Sequence, residues 1–280
     1  MSVLTRQRSC SLLITVCLGL ALVGCTPPAR LRAAPRYNSG LVVILPGIEG
    51  ASVWNRNTAL GLDEGGIRRA IEIFDWTVPI PGLALFNLAD ANRQRAQALK
   101  LADRIVDYRR EHANAPVTIV GHSAGCNVAL LALEELPVGE FVDSALLLAP
   151  AVSPSFDLTP ALQRVRRAIY NFYSGEDWVM LGAGTTLFGT ADRTFGDSAG
   201  AVGFRRPVSV PPITHELYAR KLKQVPWTPR IGRYGADGGH IGWTSVAFAR
   251  DYLRYIVLDE PLPDPPRSQS QPTTENHKSR

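Results

Sequence analysis

Val117-Thr118-Ile119-Val120-Gly121-His122-Ser123-Ala124-Gly125 runs directly into Cys126-Asn127-Val128-Ala129-Leu130-Leu131-Ala132-Leu133-Glu134. The first four residues are β-branched, which suits a buried strand, and the Ala/Leu-rich run after the second glycine suits a buried helix. Ser123 stands at the hinge between them. So sharp a turn strains the backbone, and the positions two before and two after the serine must be small for strand and helix to approach. Gly121 and Gly125 supply that room. The predicted turn lifts the Ser123 hydroxyl over the sheet edge and aims the first helix N–H groups at whatever it attacks.

Gly-x-Ser-x-Gly between a strand and a helix resembles the nucleophile elbow of the α/β-hydrolase family. The resemblance implies a mostly parallel central sheet with helices on both faces and a serine esterase or lipase-like activity. Leu41-Val42-Val43-Ile44-Leu45, bounded by Gly40 and Pro46-Gly47, reads as a central parallel strand. Family members usually carry two earlier strands, and only about fifteen residues would precede this one in a chain matured at Cys25, so the sheet is expected to be shortened at its N-terminal edge.

Downstream of that strand, Ile67 to Ile71 reads as a short helix and Ile73 to Val78 as the next strand, broken by Pro79-Ile80-Pro81-Gly82. Ala89 to His112 is an amphipathic crossover helix, with Ala96, Leu99, Leu101, Ile105 and Tyr108 near helical spacing. Strand, helix, strand makes a βαβ unit. Ser144 to Ala149 and Ala168 to Tyr173 read as further strands, Thr228 to Tyr234 as the last one. A terminal helix over residues 245–258 packs Val246, Phe248, Tyr252 and Ile256 inward. The segment 181–212 has many Gly and Thr residues and little periodicity, so it reads as a lid or pocket wall.

The chain of 280 residues, with 45% hydrophobic and 20% charged residues, reads as one globular domain over 39–258 with a disordered tail over 259–280. At the N-terminus, Arg6 and Arg8 precede an apolar run from Leu12 to Val23, too short to span a bilayer and suited to a signal peptide over residues 1–24. It ends in Leu22-Val23-Gly24-Cys25, which resembles the lipobox of bacterial lipoproteins; this implies lipidation of Cys25 and a membrane anchor in a bacterial cell envelope. An ordinary secretory signal with an incidental cysteine is the alternative. Residues 25–38 then form a stiff tether. Cys10 and Cys17 fall in the presumed signal, leaving Cys126 as a small buried residue without a disulfide partner. The formal charge of +5 comes from scattered lysines and arginines, a poor footprint for nucleic acid. Composition leaves the oligomeric state open.

A serine hydroxyl needs a base to take its proton, and an imidazole does this well when an acid fixes its tautomer and stabilises the cation. The family's order along the chain is serine, acid, histidine. His240, on the loop Gly235-Ala236-Asp237-Gly238-Gly239-His240, is the favoured base over His215, which begins a helical stretch, and His277, in the tail. Asp177, after the strand ending at Tyr173, is the favoured acid, with Glu176, Asp192 and Asp197 as rivals. His122 reads as the variable residue of the elbow. The resemblance implies the backbone N–H groups of Ile48 and Ala124 as the oxyanion hole, although this chain has Pro46-Gly47 where the family often has His-Gly. The histidines and cysteines lack metal-ligand spacing, and Gly182 to Thr190 completes no nucleotide loop, so no metal or cofactor is expected. The expected substrate is a small-molecule ester or acyl compound. A peptidase or amidase, and a surface lipoprotein that binds without turnover, are the alternatives.

Overall fold

The computed structural model describes residues 27–78, 84–176, 197–262 and 264. Six strands, β1 (Leu41–Leu45), β2 (Ala70–Ile73), β3 (Val117–His122), β4 (Val142–Leu148), β5 (Val165–Tyr173) and β6 (Leu222–Pro226), form one sheet in the order β2-β1-β3-β4-β5-β6. Every neighbouring pair is parallel. The α/β architecture expected from the sequence is therefore observed, including the shortened edge: among the described residues no strand precedes β1.

Alternation along the strands divides the core into two layers. Leu41, Val43, Leu45, Val117, Ile119, Ala145 and Leu147 face α2 (Ala91–Glu111) and α3 (Gly125–Glu135). Val42, Ile44, Val120, Leu146 and Leu148 face α1 (Val53–Glu64) and the C-terminal helix over residues 246–258. Because both faces are covered, the strands read as unbroken apolar runs rather than as alternating ones. Each fully buried Leu, Ile or Val stabilises the fold by roughly 1.5–3 kcal/mol. The C-terminal helix carries a π turn over Ala249–Leu253 and packs Phe248, Tyr252 and Ile256 inward as expected, while Val246 is only half-buried.

Four expectations are corrected. The helix placed over Ile67–Ile71 lies earlier, at Val53–Glu64, and β2 occupies Ala70–Ile73 rather than 73–78. Ile67 and Ile71 are buried because they lead into and belong to that strand, not because they share a helical face. The last strand is Leu222–Pro226; Thr228, expected inside it, instead caps a helical turn at Pro229–Gly232, its hydroxyl accepting from Ile231 N at 3.3 Å. On α2, Ala96 and Leu99 are exposed, and Gln94 takes an inward place beside Ala98, Leu101, Ile105 and Tyr108. Finally, the part of the expected tether that is described forms turns at Ala29–Arg32 and Ala34–Tyr37, docked by the buried Leu31 and by Arg30 and Arg36, each 2.9 Å from Asp63.

Candidate active site

β3 ends at His122, and the chain reverses into α3 through Ser123, whose φ of 54° lies in the left-handed region that a non-glycine residue occupies only under strain. Neighbouring backbone holds it there. Ser123 N–H donates to Leu148 O at 3.0 Å, and Ser123 O accepts from Ala151 N at 3.2 Å, so the end of β4 clamps both sides of the residue. The flanking glycines are a packing requirement. A side chain on Gly121 would meet Cys126 Cα at 2.8 Å, and one on Gly125 would collide with Pro46 O and lie 2.7 Å from Leu45 O. The elbow helix thus rests directly on the backbone that leaves β1.

That backbone is the loop Pro46-Gly47-Ile48-Glu49-Gly50, and it wraps against the serine. A methyl group at Gly47 would collide with Glu49 Oε2 and lie 3.2 Å from Ser123 Cβ. Two side chains tie down the loop's carbonyls: Trp76 Nε1 donates to Pro46 O at 2.7 Å, and Asn87 Nδ2 donates to Ile48 O at 3.0 Å. Ala124, whose N–H opens α3, is fully buried beneath the turn.

His240 arrives from the far end of the chain on a loop shaped by Trp227 and Asp237. Trp227 Nε1 donates to Ala236 O at 2.8 Å, and Gly239 N–H donates to Asp237 Oδ1 at 2.9 Å. Gly238, at φ 88°, passes so close that a side chain would meet the Trp227 ring at 2.9 Å. The loop then packs on the elbow. The His122 and His240 rings lie 4.9 Å apart between centroids, and His122 Nε2 is 3.1 Å from His240 O. Burial, reinforced by the charge of His240, lowers the His122 pKa to about 3, so this imidazole is neutral. A carbonyl can only accept, so the His122 hydrogen sits on Nε2 and is donated to His240 O. His122, read from the sequence as a variable residue, ties the loop of the expected base to the residue beside the expected nucleophile.

Glu49 is the site residue that the sequence reading missed. Its carboxylate accepts from Ser52 Oγ at 3.3 Å and opens to solvent from a recess beside Ser123. Desolvation in the recess raises its pKa, against the pull of local N–H groups, the Ser52 hydroxyl and the charge of His240. A carboxylate two residues past Gly47, on the loop that leaves β1, was the available signal. Cys126 is fully buried, and burial pushes its thiol well above the ordinary range, which fits an inert core residue.

Of the remaining candidates, Asp177, Asp192, His277 and Cys25 lie outside the described residues, as does the 181–196 half of the 181–212 segment. Glu176 is exposed after β5, its N–H donating to Ser174 Oγ at 3.1 Å. Asp197 is exposed ahead of the turn Ala199–Val202, and His215 is exposed on α4 (Pro212–Lys221), away from the elbow. Among the described residues no group of three His, Cys, Asp or Glu side chains could hold a metal ion, and no helix is long and apolar enough to cross a membrane.

Comparison with protein-family models and with curated proteins finds no match. Among solved structures, a dienelactone hydrolase from Anabaena variabilis is similar at 14% identity and a TM-score of 0.43, over 79% of this chain and 84% of that one. Esterase PE8 is similar at 15% identity and a TM-score of 0.43, covering 78% and 93%. The NocB thioesterase domain from the nocardicin cluster is similar at 15% identity and a TM-score of 0.38, covering 78% and 94%.

Proposed function

We propose that the chain is a serine hydrolase that cleaves carboxylic esters through an acyl-enzyme intermediate. The observation that carries this reading is a strained serine at φ 54° on the turn from β3 to α3, with the loop of His240 packed against the adjacent residue. Strain of that kind has a cost on the order of 1–3 kcal/mol, and it persists here at a residue whose hydroxyl is chemically useful only if activated.

In this reading Ser123 Oγ attacks the ester carbonyl while its proton passes to His240, so one O–H bond breaks, one N–H bond forms and the new Oγ–C bond creates a tetrahedral oxyanion. The N–H groups of Ile48 and Ala124 hold that oxyanion, each worth roughly 3 kcal/mol of barrier. His240 then returns the proton to the departing alkoxide. Water repeats the sequence to release the acid. Asp177, four residues past the end of β5, orients His240 and stabilises its cation. An ester is a better first substrate than an amide because its leaving group needs less help from a proton donor.

The test pairs turnover with labelling. A fluorophosphonate should modify Ser123 in the folded protein, and Ser123→Ala should abolish both labelling and p-nitrophenyl ester hydrolysis. Turnover that survives the substitution refutes the proposal. We also propose that the chain is exported and held at a bacterial membrane by lipid on Cys25, on the strength of Arg6, Arg8, the apolar run to Val23 and Leu22-Val23-Gly24-Cys25. Cys25→Ser should move the protein from the membrane fraction to the soluble one, and an unchanged distribution argues against the anchor.

A further inference from the structure

A chain of buried amide side chains connects the two sides of the presumed oxyanion pocket. It begins on the elbow helix, two residues beyond Gly125, where Asn127 Nδ2 donates to Gln94 Oε1 at 2.6 Å. Gln94 sits on the first turns of α2 and uses its amide nitrogen twice, donating to Asn87 O at 2.9 Å and Leu88 O at 3.0 Å. Those two carbonyls close the short helix Ala84–Ala89 and have no intrahelical donor available. Asn87 completes the path: its Oδ1 accepts from Val78 N at 2.9 Å and its Nδ2 donates to Ile48 O at 3.0 Å. Asn127, Gln94 and Asn87 are each no more than 3% exposed.

Core positions on α2 are otherwise apolar, and three buried amides are costly unless each hydrogen bond is made. Gln94 therefore also has a structural task, satisfying two helix-end carbonyls that Leu or Met would leave without a donor. What the amides add is direction. Each link fixes the orientation of the next, and the last one fixes the Ile48 carbonyl. Together with Trp76 on Pro46 O, it leaves the Gly47–Ile48 peptide flanked by two carbonyls that are each hydrogen-bonded to a buried side chain. The Gly47–Ile48 peptide is itself held, its Gly47 O accepting from Gly50 N–H at 3.2 Å.

We propose that Asn127, Gln94 and Asn87 are positioning residues for the oxyanion pocket, bracing the Ile48 loop against the elbow helix so that the Ile48 and Ala124 N–H groups converge on one point. The proposal rests on the serine-hydrolase reading of the site. Donors that miss the developing charge by about an ångström forfeit rate on the order of a hundredfold while leaving substrate binding largely intact, because the oxyanion exists only in the transition state.

The experiment is steady-state ester hydrolysis by the full chain, with kcat expressed per serine labelled by a fluorophosphonate so that unfolded molecules are not counted. Gln94→Met cuts the chain at its centre and Asn87→Leu at the loop end; Asn127→Ala, the smallest change, cuts it at the elbow and serves if the other two fail to fold. The expected result is a ten- to hundredfold fall in kcat per labelled serine with KM within about threefold of the parent. A merely structural chain would lower Tm and the labelled fraction while kcat per labelled serine stayed at the parental value, and that result overturns the proposal. A parent protein that takes no label at Ser123 overturns the hydrolase reading itself, which separates the two failures.

Discussion

At Ser123 the demands of folding and of chemistry can be weighed against each other on a single torsion. The φ of 54° is forced by clamps on both sides, from Leu148 O and Ala151 N, so the backbone keeps it whatever side chain is present. Glycine enters this region without penalty, whereas alanine has the same Cβ clash as serine and none of its chemistry. Ser123→Gly should therefore be more stable than Ser123→Ala by roughly 1 kcal/mol, and both should be inactive. Thermal unfolding of the pair checks this: equal Tm values would mean that the turn stores no strain. The same separation of roles applies to His122. Its neutral imidazole donates to His240 O and needs no titration to do so, which makes it a brace for the base loop rather than a proton carrier.

Among the elements, what could be read from the sequence follows how completely each is buried. β1, β3 and β4 are covered on both faces, so their runs of Val, Ile, Leu and Ala announce themselves, and the elbow after β3 is legible because two glycines bracket the serine. β6 is one of the two edge strands. Leu222-Lys223-Gln224-Val225-Pro226 has one buried residue, and its Pro226 closes the strand where no further ladder is needed, so nothing in its composition competes with the more β-like Thr228 to Tyr234. Helix α1 hides for the opposite reason: its inward face is built from Asn55, Thr58, Ala59, Gly61, Leu62 and Asp63, too polar to register as an amphipathic stripe. Gln94 is the same lesson in one residue, since an amide on α2 reads as solvent-facing until its partners on two other segments are seen. From local pattern the sharp turn at Ser123 and the glycine loop that carries His240 were legible. Glu49 and the amide chain were not, because each depends on contacts between segments far apart in the chain.

For the whole molecule, the brace at His122 carries a consequence for stability in acid. A histidine whose folded pKa is lowered to about 3 from an ordinary 6.5 must be neutral in the native state, while the unfolded chain takes up a proton as the pH drops below 6.5. The stability tied to the neutral ring is fully present above pH 6.5 and is lost progressively toward pH 3, at up to about 1.4 kcal/mol per pH unit. Asp63 acts in the same direction at lower pH. Desolvation works against its charge, but the hydrogen bonds from Arg30 and Arg36 hold its pKa below the ordinary value, so its contribution disappears as pH falls beneath the usual carboxylate range. Glu49 acts oppositely, its raised pKa favouring the fold at acid pH and withdrawing that support as pH climbs through the carboxylate range. Between pH 6.5 and 5 the raised carboxylates of Glu49 and Glu134 are common to the parent and a His122 variant, so the difference between the two proteins isolates His122. His122→Gln keeps a side-chain N–H for His240 O and removes the titration. Denaturant unfolding should show the parent losing stability relative to the variant between pH 6.5 and 5; parallel changes in the two proteins would place the acid sensitivity elsewhere.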